Sequence, residues 1–175
     1  MNLSMLWLVP IVYGIHIVEE APRFVRWTIR YPWLFTSRFD TRKFIFGNIV
    51  FMTYVLGSVS LALASPSPWT LILGLSTASW ICANFLLHAL TTLVSGIYSP
   101  GVVTAGALYV PTSLYIYGTL WQTGVLTPAL VLWSVVVGFT VMYLPFFPAM
   151  LMARKEQRQS KALDTVPSIR QGHVR

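Results

Sequence analysis

From Trp69 to Ser95 the chain reads WTLILGLSTASWICANFLLHALTTLVS, and the reading of this run decides the fold. It contains no Asp, Glu, Lys or Arg and exceeds the ~20 residues that an α-helix needs to cross a bilayer. Asn84 and His88 nevertheless sit well inside it, four residues apart. The surroundings continue the pattern, since Phe44 to Ala153 holds no charged side chain at all. With 55% hydrophobic and 10% charged residues and a mean hydropathy of +0.66, the chain does not read as a soluble domain.

Working outward, Ser65-Pro66-Ser67-Pro68 and Tyr98-Ser99-Pro100-Gly101 are uncharged turns, and Gln122 to Pro128 is a third connection. They divide the chain into spans at about 3–20, 44–64, 69–95, 102–121 and 128–152. The expected fold is therefore all-α, a multi-pass transmembrane helical bundle of about five spanning helices. The expected organisation is an integral membrane helical domain over 1–152 and a polar, disordered cytoplasmic tail over 153–175. The first span lacks a basic leader and a small-residue cleavage site before Glu19, so it reads as a retained helix, with Pro10 a candidate kink.

Segment 21–43 is basic and aromatic. Arg23, Arg26 and Arg30 recur at i, i+3 and i+7, with Phe24, Trp27 and Tyr31 one step around, and Trp33, Phe35 and Phe39 follow. This predicts an interfacial amphipathic segment, arginines toward phosphates and aromatics toward acyl chains. The net charge of +7 comes from Arg23, Arg26, Arg30, Arg38, Arg42 and Lys43 and from the tail's Arg154, Lys155, Arg158, Lys161, Arg170 and Arg175. By the positive-inside rule both regions are cytoplasmic, which places the N-terminus outside and the C-terminus inside a cell membrane. The single Cys82 excludes an internal disulfide and any CxxC site.

Against this apolar background His16-Ile17-Val18-Glu19-Glu20 stands out. At ~100° per residue His16 and Glu20 share a helix face with Glu19 one step around. In the expected topology His16, Glu20, Asn84 and His88 converge on the cytoplasmic half of the bilayer, where Asn48 and Thr104 enter from antiparallel helices. Ionisable groups at such depth are costly and face a bundle interior or cavity. Two imidazoles and a carboxylate on facing helices make a donor set for iron(II) or zinc, with His16, Glu20 and His88 as ligands. Glu19 is then a general base or supporting partner, Asn84 orients His88, and Arg23 holds an anionic substrate head group. Plainer readings exist: an interfacial helix end with Glu19 paired to Arg23, and a packing histidine bonded to a carbonyl.

The three motifs in this order, HxxEE at 16–20, NxxxH at 84–88 and Y-x-P-G at 98–101, resemble the HXXEE-domain family of small integral membrane proteins. The resemblance extends over roughly residues 8–150. It implies a membrane enzyme whose functional positions are His16, Glu19, Glu20, Asn84, His88, Tyr98, Pro100 and Gly101, and it identifies no metal, substrate or reaction.

Three functions compete. The first is a metal-dependent membrane enzyme taking a hydrophobic or lipid-like small molecule from the cytoplasmic leaflet, its reaction class open. The second is a small proton-coupled transporter in which His16, Glu20 and His88 relay protons, and the third a bis-His haem protein. Membrane lipids are the expected surroundings, an oligomer is compatible with the small size, and no nucleic-acid partner is expected.

Overall fold

The computed structural model describes residues 3–32, 34–36 and 39–164. The expectations for Trp33, Arg38, Arg170 and Arg175 lie outside them. All regular structure among the described residues is helical. A 3-10 turn, Ser4–Trp7, leads into α1 (Leu8–Glu20). Pro10 falls in the first turn of α1, where backbone N–H groups have no intrahelical acceptor and the ring costs little. The short α2 (Phe24–Thr28) is followed by α3 (Thr41–Ala64), whose Asp40 side chain accepts from Lys43 N at 2.9 Å. Helix α4 (Pro68–Ser95) starts with a capping box between Ser67 and Thr70, with Pro68 in the first turn, and stops at Gly96 with φ +65°. The Ser65–Pro68 turn is thus also the device that starts the next helix.

The fourth span is interrupted. Helix α5 (Val102–Thr104) widens into a π-turn over Ala105–Tyr109 before α6 (Val110–Gln122). Pro111 supplies a cause, because it has no N–H to offer the carbonyl four residues back, and the register relaxes. Helices α7 (Pro128–Tyr143) and α8 (Phe146–Asp164) follow with only Leu144 and Pro145 between them.

Three helical runs are long and apolar enough to cross a membrane: Thr41–Ala64, Pro68–Ser95 and Pro128–Lys161. The expected first and fourth spans are shorter or broken, at the 3-10 lead-in and at the π-turn, so they do not join that group. The part of the expected tail between Ala153 and Asp164 is helical, a continuation of α8.

Helix α4 is the axis of the bundle. Its most apolar window is 61% buried, against 22% for α3 and 17% for the 128–161 run, so the outer helices present their apolar side chains outward. Ile45, Phe46, Ile49, Leu132, Trp133 and Leu144 are all exposed, as lipid-facing side chains would be. Small residues let the helices approach: a Cβ on Gly138 of α7 would lie 2.5 Å from the Ser76 carbonyl oxygen of α4. Buried hydroxyls then tie α4 to its neighbours, with the Tyr117 hydroxyl 2.6 Å from Ser79 Oγ and 2.7 Å from Ser134 Oγ.

Segment 21–43 departs from expectation in one respect. Phe24, Trp27, Tyr31, Leu34, Phe35 and Phe44 are buried in a cluster of their own, with Phe146 against it. The aromatics therefore pack on protein rather than in acyl chains. A continuous helix would hold Phe24 and Phe35 about 16 Å apart along its axis, whereas ending α2 at Thr28 folds Phe35 back onto Phe24.

Candidate functional site

The last turn of α1 and the lower half of α4 meet at His16, Glu20 and His88. All three are buried, at 0%, 6% and 1% exposure. The imidazole centroids lie 5.1 Å apart in an edge-on arrangement. Glu20 reaches both rings, Oε1 to His88 Nε2 at 3.4 Å and Oε2 to His16 Nε2 at 3.8 Å. One ligand atom from each of the three residues falls within 4.8 Å of the others. Neither Nε2 atom has a hydrogen-bond partner.

The opposite ring nitrogens are both held. His88 Nδ1 is 2.8 Å from Ser99 Oγ, and His16 Nδ1 is 3.0 Å from Thr104 Oγ1. The second contact fixes a tautomer. Thr104 donates its single hydroxyl proton to Glu19 Oε2 at 2.6 Å, so toward His16 its oxygen can only accept. His16 therefore carries its proton on Nδ1 and turns the Nε2 lone pair toward Glu20 and His88. A hydroxyl or carboxylate behind each imidazole is the usual support of a metal-ligating histidine.

The spacing is near that of an ion site but wider, with up to 4.8 Å between donor atoms, so the side chains would have to close in on an ion. Atoms bound at ~2.0–2.1 Å around a tetrahedral zinc stand ~3.3 Å apart. The Glu20 contacts are near that distance and long for direct hydrogen bonds. The donor set and the two unpartnered nitrogens fit a divalent cation.

Glu19 points elsewhere. Tyr98 donates its hydroxyl to Oε1, and Thr104 gives Oε2 its backbone N–H at 2.8 Å as well as its hydroxyl. No ion pair joins Glu19 to Arg23 among the described residues. Three donors thus hold the Glu19 carboxylate, and the Thr104 hydroxyl links it to His16. Partial burial, and then the bond to Glu19, push the Tyr98 phenol up to about 12. It remains a donor at neutral pH.

The turn at 98–101 touches Glu19 and both imidazoles. Tyr98 holds Glu19, Ser99 holds His88, and Pro100 carries the chain to Gly101, which lies against His16. Gly101 has φ +94°, and a Cβ there would stand 2.5 Å from His16 Cε1. Gly124 also has positive φ, +70°, but open space around it. Gly124→Ala should therefore show backbone strain alone, about 1–2 kcal/mol. Gly101→Ala should cost roughly 1–3 kcal/mol more, because the His16 ring must move. Unfolding midpoints of the two variants in one detergent compare these costs, and equal losses would mean that Gly101 serves the turn only.

Two expected members are placed otherwise. Asn84 does not hold His88; its Nδ2 approaches Met142 Sδ at 3.9 Å and its Oδ1 is buried without a partner. Arg23 lines a separate cavity of about 400 Å³ with Arg26, Arg30, Tyr98 and Pro100. Asn48 joins the polar layer by accepting from the Tyr13 hydroxyl at 2.7 Å. Cys82, set aside as a ligand, is half-buried and outside the cluster.

Sequence reasoning missed Ser99, which only the Y-x-P-G spacing could have suggested. It also missed Tyr109, a buried residue of the π-turn whose ring lies 4.7 Å from His16 and whose hydroxyl has no partner. Pro111 was the available signal, since it marks where the helix must yield.

A family model described as "protein of unknown function with HXXEE motif" matches residues 7–116. It ends within α6, short of α7 and α8. No curated protein and no solved structure matches the chain. The matched region is well over half of the sequence and contains all the residues assembled above, so the chain belongs to the HXXEE family.

Proposed function

We propose that this protein is a membrane-embedded enzyme that uses a divalent metal ion, iron(II) or zinc, on a hydrophobic substrate. The reading is carried by one observation: two buried imidazoles turn unpartnered Nε2 atoms toward one carboxylate at distances near those of an ion site. His16, Glu20 and His88 would hold the ion. It would supply Lewis acidity to an oxygen atom of the substrate, leaving coordination positions that the protein does not fill.

A cavity of about 210 Å³ supports the substrate class. Glu20 and His88 are in its wall, and half of the rest is aromatic, including Phe24, Phe35, Phe39, Phe44 and Phe51. Small-molecule sites have this character, mostly apolar with a few convergent polar groups. Haem is less well supported, since the imidazoles stand 5.1 Å apart and edge-on with Glu20 against both. A macrocycle needs two rings facing each other across it.

The proposal includes the topology. About five membrane-crossing segments, with the 21–43 connection and the C-terminus cytoplasmic, would put the cluster in the cytoplasmic half of a cell membrane. A reporter after Arg175 should then behave as cytoplasmic and one at Ser67 as external; finding both on one side would overturn the orientation.

The direct test is metal content. Protein purified without chelator should carry close to one equivalent of iron or zinc, lost with chelator and regained from either ion alone. A metal-free preparation that binds neither would remove the metal from the proposal.

A further inference from the structure

Asn84 is a motif residue with no task in the His16–Glu20–His88 cluster. Its position suggests one. Trp80, Asn84 and His88 recur at i, i+4 and i+8 on α4 and form a single stripe. All three line the 210 Å³ cavity, which is bounded by α1, α2, α3, α4 and the α7–α8 junction. Each has a buried polar atom without a protein partner: the Trp80 indole N–H, Asn84 Oδ1 and His88 Nε2. Trp80 is 1% exposed, so outside water does not reach it, and a hydroxyl in the cavity meets its N–H only once the lining side chains part. Buried polar groups are rarely left unpaired, and with His88 Nε2 assigned to the ion, the two that remain on this wall, on Trp80 and Asn84, point to a missing partner.

We infer that the cavity binds a lipophilic alcohol, with its uncharged hydroxyl between Trp80 and Asn84. The substrate class so named rests on the reading of this cavity as the substrate site. The hydroxyl would accept from the indole N–H and donate to Asn84 Oδ1, which a single O–H group can do at once. Its carbon chain would lie on the phenyl rings of the opposite wall. Between Trp80 and Asn84, away from the ion, a charged head is disfavoured by the lining. A phosphate or carboxylate would face the Asn84 oxygen and the Glu20 carboxyl. The one cation there, Lys43, is in the first turn of α3. Asn84 is about 16 Å from the end of α4 at ~1.5 Å per residue. The volume equals about seven liquid waters at ~30 Å³ each, enough for a hydroxyl and a medium chain.

Gly47 makes the idea testable. It lines the cavity, and a Cβ on it would meet nothing within 4 Å. Gly47→Leu should fill the space without disturbing the helices. The probes are 8,8,8-trifluorooctan-1-ol and the corresponding acid and ammonium ion, followed by fluorine NMR with full-length protein in nanodiscs. The alcohol should bind saturably above its partition into empty nanodiscs and be displaced by 1-octanol, whereas the acid and the ammonium ion should not saturate. Gly47→Leu and Asn84→Leu should each weaken binding at least about tenfold and leave metal content unchanged. Without alcohol, Asn84→Leu should raise the unfolding midpoint, because it removes an unpaired acceptor; a packing role for Asn84 would lower it.

Absence of saturable binding, equal binding of the acid, or wild-type affinity in Gly47→Leu would overturn the inference. Alcohol binding by a protein that takes up neither iron nor zinc would refute the metal reading alone. A metal-loaded protein indifferent to alcohol would refute this inference alone.

Discussion

Glu20→Gln is expected to strip the protein of its metal. Glu20 is the only carboxylate in the cluster, and it touches both imidazoles from a buried position. In a low-dielectric layer its charge also offsets that of the ion, which a neutral amide cannot do. Loss of a direct ligand should exceed the ~10–100-fold typical of supporting residues, so affinity should fall by more than about a hundredfold. The same change has a thermal signature. An ion at a hundred times its dissociation constant stabilises the native state by ~2.7 kcal/mol, and the variant at that concentration should gain almost nothing. The readouts are metal per protein and the midpoint shift on adding zinc, for wild type, Glu20→Gln, His16→Ala and His88→Ala. Asp40→Asn, at the α3 cap away from the cluster, serves as the control. A zinc-induced shift that survives Glu20→Gln would show that the ion binds elsewhere.

The sequence displayed the parts of this site and hid their connections. The charge-free run from Phe44 to Ala153 was enough to expect apolar helices, because nothing else tolerates that composition. The i,i+4 spacing put His16 and Glu20 on one face, and they do approach each other. Span counting was less secure. Ser4–Glu20 and Val102–Gln122 looked continuous, but a 3-10 turn and a π-turn interrupt them, and hydropathy does not register backbone hydrogen-bond register. The partners of the imidazoles were also hidden. Serine is too common in apolar helices to single out Ser99 without coordinates, Thr104 was expected in the polar layer but not as the partner of His16, and Asn84 was closer in sequence to His88 than either. One turn of separation suggested an Asn84–His88 bond, yet the amide sits beside Met142 instead. The aromatic connection failed for a similar reason. Its periodicity was helical, but where its side chains pack depended on Phe44 and Phe146 from distant helices.

Thr104→Val should lower metal affinity by roughly 10–100-fold while Thr104→Ser restores it. Threonine and valine have nearly the same shape, so the packing of α5 against α1 is preserved. What valine lacks is the hydroxyl that accepts from His16 Nδ1 and donates to Glu19. Without it, the Nδ1 proton loses its hydroxyl acceptor in a site already closed to water. His16 then gains by moving its proton to Nε2, the nitrogen that the metal needs. Glu19 loses one of three donors but keeps Tyr98 and the Thr104 backbone, so the turn should hold. Glu19→Gln tests the same chain from its far end. A carboxamide can accept through one atom only, and it has to choose between Tyr98 and the two donors of Thr104. It should weaken metal binding by less than Thr104→Val, since the Thr104 hydroxyl can still meet His16. Isotope-labelled histidine makes the order of events visible, because imidazole nitrogen shifts separate the two tautomers directly. In the apo protein His16 should be protonated on Nδ1 in wild type and Thr104→Ser, and shift toward Nε2 in Thr104→Val. If the valine variant keeps both the tautomer and the affinity of wild type, the Glu19–Thr104–His16 chain contributes only to packing.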